Sequence, residues 1–398
     1  MAETNVTIPA DFLSSFLSEP NGFAKLLETV LNQILNAQAE DQIGAAPYER
    51  TEGRVAYRNG YRTRQLYTRV GQLTLRVPQF RDGQFSTEIF ARYQRSEQAL
   101  VLSMMEMVLN GVSTRKVTKI TEELCGTSFS KSTVSQLCLA LDAKVEAFNE
   151  RELGCFPFVI VDAMVVKVRE NGKVVSKSAL IMSGVNVDGY REILGLRIGD
   201  SESEISWLDA FRWLKQRGLH GVDYIISDSH SGLVKSAMRC FQGASWQRCQ
   251  VHLRQNVLTS TRPSYRRTVN EAIKEVFDAP DATEARRRFN LMAERLENHV
   301  PKAIECLEAG LEDALAIMTL PKKYRKRLRS TNMQERLNEE VRRRERVIRI
   351  FPNQQSAHRM IGAILAEHHK GWMGRRYLDM TEYQEWIQAG PKEQELIV

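Results

Sequence analysis

Asp162 lies in the middle of Phe156-Pro-Phe-Val-Ile-Val-Asp-Ala-Met-Val-Val-Lys-Val168, an apolar, β-branched run that reads as a buried central strand. A carboxylate is costly inside a sheet unless it is paired or coordinates a metal. A second one, Asp228, ends the apolar run Val222-Asp-Tyr-Ile-Ile-Ser-Asp228-Ser-His230. Either aspartate taken alone is also read as a turn cap at a strand end. Side by side, two such strands bring two carboxylates together, and that arrangement holds divalent cations for phosphoryl transfer. The third acid is on a helix. From Ser330 to Arg344, Met333, Leu337 and Val341 form an apolar face, while Asn332, Glu335, Asn338 and Arg342 share another at three- and four-residue spacing. With the apolar face packed on the sheet, Glu335 at its edge looks toward Asp162 and Asp228.

The elements that must position these acids follow from the pattern around them. After the Asp162 strand come Lys173 to Asn186 and Tyr190 to Gly199, separated by turns at Asn171-Gly172 and Asp188-Gly189, which makes a three-strand meander. Glu204 to Arg217 reads as a crossover helix, Tyr224 to Ser227 as a parallel strand, Ser231 to Phe241 as a helix and Ser245 to Gln250 as a short strand. That order gives an RNase H-like mixed five-stranded sheet, an α/β fold. Val257 to Met318 has no strand signal and reads as an all-α insertion.

Composition points to an anionic partner. The chain has 398 residues and a net charge of +7. Between Arg50 and Arg95 there are ten arginines, no lysine and three acids, so this segment alone equals the net charge; Lys322 to Arg349 is a second basic block. Two basic regions far apart in sequence fit an extended polyanion, and DNA fits best. In the first block Tyr57, Tyr61, Tyr67 and Phe80 interleave with Arg54, Arg58, Arg62, Arg64 and Arg69 on short strands with turns at Asn59-Gly60, Val70-Gly71 and Asp82-Gly83. The planar arginine fork grips a phosphate or a guanine edge bidentately; the plainer reading is a solvated charged face. Ser113 to Gly126 and then Ser130 onward read as a helix-turn-helix whose second helix presents Lys131, Ser132, Thr133 and Gln136. Arg342, Arg343 and Arg344 are further candidates for holding strand phosphates.

The N-terminus reads as a helical pair, Phe12 to Leu17 and Phe23 to Leu35, broken at Pro20-Asn-Gly22, whose stripe packs on the next domain or on a second copy. The expected segments are a helical region at 1–45, a basic β-rich segment at 46–100, a helix-turn-helix at 101–150, a catalytic domain at 151–256, a helical insertion at 257–328 and closing helices at 329–398. The six cysteines show no paired spacing, which favours a reducing compartment. No apolar run reaches transmembrane length and Met1 to Leu17 lacks a basic start, so the expectation is a cytoplasmic, nucleoid-associated protein without a membrane partner.

Several stretches together resemble one family: Asn59-Gly-Tyr-Arg-Thr-Arg64, Thr68-Arg-Val-Gly71, Arg92-Tyr-Gln-Arg-Ser-Glu97, the Asp228 strand end, Cys249-Gln-Val-His252, Thr331-Asn-Met-Gln-Glu335-Arg-Leu-Asn338, Arg342-Arg-Arg-Glu-Arg-Val347 and Phe351-Pro-Asn353. In that order they resemble the mutator-type DDE transposases of bacterial insertion sequences, over residues 40 to 380. The resemblance implies that Asp162, Asp228 and Glu335 are both catalytic and metal-binding, with two Mg²⁺ ions, or Mn²⁺ in their place, per site. It implies binding to terminal inverted repeats and target DNA, strand cleavage and transfer, a homodimer or higher homo-oligomer, and a copied circular intermediate. His230, Cys249, His252, Asn332 and Asn338 are candidates for supporting the site. A structural zinc site at Cys249 and His252 is disfavoured, since Cys240 and His230 lie at irregular spacing. A hydrolytic triad in Asp228-Ser-His230 is discounted for want of a nucleophile elbow. The competing functions are a non-enzymatic helix-turn-helix regulator on an RNase H-like fold, which the filled acidic positions oppose, and a structure-specific nuclease of that fold.

Overall fold

The computed structural model describes residues 22–389 together with Ile8, apart from 82–84, 88, 91–95, 111 and 126–127. The first N-terminal helix, the turn at Asp82-Gly83, the Arg92 to Arg95 stretch and the helix stop at Gly126 lie outside the described residues. The chain divides into two compact units, Met1–Leu139 and Ala140–Val398.

In the first unit, helix α1 (Gly22–Ile43) precedes a hairpin of β1 (Arg58–Thr68) and β2 (Gly71–Phe80). Alternation along β2 buries Leu73, Leu75 and Val77 against Ala24 and Leu35 of α1, so the helical stripe finds its partner in the hairpin. Two polar side chains of α1 also bond to the free edge of β2: Glu28 accepts from Thr74 N–H at 2.8 Å and Asn32 from Arg76 N–H at 2.7 Å. An edge strand closed in this way is no template for further pairing. The expected turn at Asn59-Gly60 is a bulge inside one continuous strand: the register slips between Arg58 and Tyr61, and Gly60 takes a φ of +75°. An Asn-Gly pair supplies the left-handed backbone that either a turn or a bulge needs, so the dipeptide alone does not choose between them.

Helices α2 (Gln98–Leu109), α3 (Thr114–Cys125) and α4 (Lys131–Leu137) follow, packed around Met104, Val117, Phe129 and Val134. Ser130 caps α4, its Oγ accepting from Thr133 N–H at 3.1 Å.

The second unit opens with α5 (Ala140–Glu150) and the meander β3 (Phe158–Glu170), β4 (Lys173–Val185) and β5 (Arg191–Gly199). Helix α6 (Glu204–Gln216) crosses over to β6 (Tyr224–Ser227), and α7 (Ser231–Cys240) leads to β7 (Ser245–Arg248). The sheet order is β5-β4-β3-β6-β7, antiparallel across the first three strands and parallel from β3 to β7. Period-two alternation sorts the central strands cleanly. Val159, Val161 and Ile225 face Trp207, Phe211 and Leu214 of α6. Phe158, Ile160, Tyr224 and Ile226 face the opposite core.

That opposite core is built by α8 (Gln250–Thr259), α9 (Arg266–Phe277), α10 (Ala282–Leu296), α11 (Pro301–Leu315) and α12 (Lys322–Leu328), with the last helix α15 (Thr381–Gln388) contributing Tyr383. Between them in sequence, α13 (Asn332–Ile348) and α14 (Gln354–Met373) return to the sheet. The N-terminal α5 belongs to this packing. Arg359 of α14 grips Asp142 of α5 with two bonds of 2.6 and 2.8 Å, and Gly362 lets the two backbones close over Val145. No helix among the described residues is long and apolar enough to cross a membrane.

Candidate active site

The sheet register aligns the acids. Strands β3 and β6 pair as far as Ile160 with Ile226, and β6 and β7 as far as Ser227 with Arg248. Counted on by one or two residues past those last pairs, the same register sets Asp162, Asp228 and Cys249 at equivalent positions on three neighbouring chain segments. Cys249 N–H still donates to Ser227 O at 2.7 Å, which holds β7 to β6 at this point. Asp162 shares its face with Phe158 and Ile160, the side that the later helices cover. Helix α8 begins immediately after Cys249 and carries His252 in its first turn.

Helix α13 completes the site because it is stitched to the sheet along one of its own faces. Thr331, just before its start, donates from both N–H and Oγ to Cys249 Sγ at 3.4 Å. One turn on, Gln334 Oε1 accepts from Ser183 of β4 at 2.6 Å; a further turn on, Asn338 Nδ2 donates to Asp162 Oδ2 at 2.8 Å. Met333, Leu337 and Val341 are buried beside this line. Glu335 is thereby held where its Oε1 accepts from Thr331 Oγ at 3.3 Å and lies 3.5 Å from His252 Nε2.

Of the supporting candidates, Asn338 orients Asp162 and His252 lies against Glu335, which Thr331 also steadies. Asn332 is exposed and lines a cavity with Arg336, on another flank of α13. The Thr331 hydroxyl, within reach of both Cys249 Sγ and Glu335 Oε1, makes no side-chain cap bond at the start of α13.

Electrostatics mark the place as one that wants a cation. Burial pushes the Asp162 carboxyl up to about 6, with Asp228 and Glu335 adding to the effect and the Ala163 N–H and His252 opposing it. His252 is held up at about 9, chiefly by Cys249 and then by Glu335 and Asp162, against burial. Its Nδ1 makes no well-aligned hydrogen bond. Burial raises the Cys249 thiol, but His252 and Thr331 outweigh it and bring it below its ordinary value. On the other side, His230 N–H donates to Asp228 Oδ1 at 3.2 Å, and its Nδ1 lies 3.7 Å from Glu202. Burial raises Glu202, opposed by its bond from Trp207 and by His230, while the Asp228 charge adds to the rise.

Two ligand sets share Glu335. Asp162, Asp228 and Glu335 offer carboxylate oxygens, which suit Mg²⁺ or Mn²⁺. Cys249 Sγ, a His252 nitrogen and a Glu335 oxygen lie within 4.8 Å of one another, a mixed set closer to the taste of Zn²⁺. Cys249 already accepts from Thr331, and among the described residues the mixed set comprises three donors where a structural zinc takes four. The carboxylates fit a hard cation better.

Glu202 and Ser183 carry no signal in the sequence, since each is an ordinary polar residue in a loop or a strand, and Thr331 and Gln334 belong to a stretch that carries the family resemblance without any sign of what they bond to. The basic candidates fall in several places. Arg58 pairs with Glu40 at 3.4 Å, Arg69 with Glu97 at 3.0 Å, Arg54 donates to Ala46 O at 3.2 Å, and Arg64 lies 4.0 Å from the centre of the Phe90 ring. Arg62, Lys131, Ser132 and Gln136 are exposed and Thr133 is half-buried. Arg342 and Arg343 are exposed, but Arg344 is buried and faces Glu367 at 3.7 Å, so it packs α13 on α14 rather than meeting solvent. Glu340 pairs with Arg343 at 2.8 Å.

Comparison with known proteins gives the chain a family. The family described as Transposase, Mutator family matches residues 3–375. The transposase for insertion sequence element IS256 in transposon Tn4001 of Staphylococcus aureus is 44% identical over 391 residues, covering 96% of this chain and 100% of that protein. The transposase for ISRM5 of Rhizobium meliloti is 43% identical, covering 93% of each. The transposase for IS1081 of Mycobacterium tuberculosis is 39% identical over 91% of this chain and 88% of its own length. The chain belongs to the Mutator family of transposases.

Proposed function

We propose that this transposase binds the terminal inverted repeats of an insertion sequence and catalyses metal-dependent DNA strand cleavage and strand transfer at Asp162, Asp228 and Glu335. The observation that carries the reading is the convergence of acids from three separate elements, β3, the end of β6 and α13, with His252 beside Glu335. Strand order β5-β4-β3-β6-β7 with an antiparallel and a parallel half supports an RNase H-like catalytic fold. The capped helix α4 after α3, with exposed Lys131, Ser132 and Gln136, supports a helix-turn-helix, and the arginine-bearing hairpin supports a second DNA contact.

Two Mg²⁺ ions bound by Asp162, Asp228 and Glu335, with Mn²⁺ as substitute, would supply Lewis-acid activation of the attacking oxygen and stabilisation of the leaving one. The protein's own part is positioning, which is most of what phosphoryl transfer requires. Asn338 fixes the Asp162 carboxylate, Thr331 fixes Glu335, and the His230 backbone fixes Asp228. His252, carrying a proton at neutral pH, offsets part of the negative charge until a cation arrives. Action as a homodimer or larger assembly on two element ends belongs to the same proposal.

The test uses purified full-length protein, end-labelled duplex carrying the element's terminal repeat, and Mg²⁺. Wild type should nick at the element boundary, and Asp162→Asn and Asp228→Asn should bind the end but leave it intact. Nicking at the wild-type rate by either variant would remove the assignment. A nuclease without joining activity would cut but give no strand-transfer product.

A further inference from the structure

On another flank of α13 from Glu335 lies a second concavity of about 570 Å³, in the range of about 300–1,000 Å³ typical of small-molecule sites. Its charged lining is one-sided: Arg191, Lys326, Arg327 and Arg336 against the single acid Glu340, which Arg343 already holds at 2.8 Å. Among the described residues Arg336 and Lys326 have no carboxylate partner, and both are exposed. The cavity also contains two large aromatic rings. Arg191 lies 4.5 Å from the centre of the Trp372 ring and 5.2 Å from that of Tyr377, and Arg327 lies 4.7 Å from Tyr377 while bonding to its carbonyl. Burial lowers the Arg191 guanidinium, and the neighbouring Arg327, Arg375 and Arg336 add to that, with Tyr377 opposing. Cationic groups gathered around one concavity with a single, already paired acid give it a positive potential that favours an anion.

We propose that this cavity, resting on the reading of the chain as a DNA strand-cleaving enzyme, binds an unpaired nucleotide of the DNA strand beside the catalytic acids. Arg327, Arg336 and Lys326 take the phosphates, and Trp372 with the Arg191 plane takes the base. An acidic peptide would satisfy the charge but has no use for stacked planes, whereas an exposed base offers a flat π-face to both aromatic and guanidinium groups. A base inside a duplex keeps its faces against its neighbours, so a concave aromatic site can only take one that has left the stack. Asn332, on the same rim, offers an amide for the base edge. A neighbouring cavity of about 610 Å³ shares Lys326 and adds Lys322, with Arg329 paired to Asp278 at 2.9 Å, so the basic track continues onto the start of α12 through Lys322. Asn332, Arg336 and Glu340 lie at four-residue spacing on α13, so the track runs along the helix that carries Glu335.

The test uses full-length protein in EDTA, a fluorescent oligothymidylate and a random duplex of the same length, with fluorescence anisotropy as readout. Trp372→Ala should weaken oligothymidylate binding roughly tenfold, in line with the loss of one stacked base, while Trp372→Phe keeps most of it. Arg336→Ala should reduce the slope of log Kd against log salt by about 0.7, one single-strand phosphate contact. In parallel, an oligonucleotide carrying 5-iododeoxyuridine should photo-crosslink to a peptide containing Trp372 or Tyr377. Wild-type affinity in both Trp372→Ala and Arg336→Ala would overturn the proposal, as would crosslinks mapping only outside the cavity. If Trp372→Ala does not fold, the exposed Arg336→Ala and the crosslink decide. Because no divalent cation and no element end is present, this outcome is independent of whether the chain nicks DNA.

Discussion

Neutralising Asp162 should stabilise the metal-free protein while abolishing strand cleavage. In the fold its carboxyl is pushed from 3.8 to about 6, mainly by burial and then by Asp228 and Glu335. Two units at about 1.4 kcal/mol each mean that ionised Asp162 costs about 3 kcal/mol at neutral pH. Asparagine removes that charge but has one acceptor oxygen where Asp162 accepts from both Ala163 N–H and Asn338 Nδ2, so one buried donor is left unsatisfied at a cost of about 1–3 kcal/mol. The net expectation for Asp162→Asn in EDTA at pH 8 is a gain of about 1 kcal/mol, a rise in melting temperature of about 2–4 °C for a unit of this size. The sign with pH follows from the raised pKa. Between roughly pH 4 and 6 the native wild type binds more protons than the unfolded chain, so its stability falls as pH rises through that window. The advantage of Asp162→Asn is therefore largest above pH 7 and has vanished by pH 4, where the lost hydrogen bond leaves wild type the more stable. Added Mg²⁺ should raise the wild-type melting temperature by mass action and leave Asp162→Asn nearly unmoved. The assay is thermal unfolding in matched buffers from pH 4 to 8. A variant that is less stable at pH 8 in EDTA, or equally shifted at every pH, would refute the reasoning.

Glu335→Gln should eliminate nicking in Mg²⁺, whereas Glu339→Gln should keep most of it; a dead Glu339→Gln with an active Glu335→Gln, read from the labelled-end assay, would place α13 one turn away from this arrangement. Asn338→Ala should lower the cleavage rate about 10–100-fold and raise the Mg²⁺ concentration needed for half-maximal rate, because the carboxylate it orients is freed; an unchanged Mg²⁺ dependence would contradict that role. The His252 ring should titrate near 9 in metal-free protein by NMR, so its contribution to stability is present below about 6.5 and is lost as pH rises through 9. Mg²⁺ should lower that pKa by offsetting the carboxylates; an ordinary value without metal would sink the assignment. Glu202→Gln should slow nicking without weakening end binding, since it acts on Asp228 through His230; equal loss of both, by parallel cleavage and gel-shift measurements, would point to misfolding.

The legible parts of this protein are those where one residue type had to satisfy one period. The β-branched run around Asp162 and the apolar run into Asp228 admit little besides buried strands, and their order with the intervening helices matches the sheet as found. The Met333, Leu337, Val341 stripe fixed which side of α13 is buried, and so where Glu335 must look. Partners were less visible. Helix α2 is apolar nearly all round, so no period announces it. Asn332 and Asn338 sit symmetrically about Glu335 in sequence, yet Asn338 bonds to Asp162 because the helix packs on β3, a fact of tertiary packing. Arg344 reads like its basic neighbours but falls on the buried side of α13. Glu202 is one acid in a polar turn until the fold brings it to His230.

The proposal stands or falls on whether Asp162, Asp228 and Glu335 hold divalent cations between them. Replacing Mg²⁺ by Fe²⁺ and adding ascorbate and peroxide generates hydroxyl radicals at the bound ion, which cut the backbone beside its ligands. Full-length protein should give cuts near residues 162, 228 and 335 together, suppressed by excess Mg²⁺ and absent in Asp162→Asn. Cuts confined to the neighbourhood of Cys249 and His252, or cuts that survive Asp162→Asn, would contradict it.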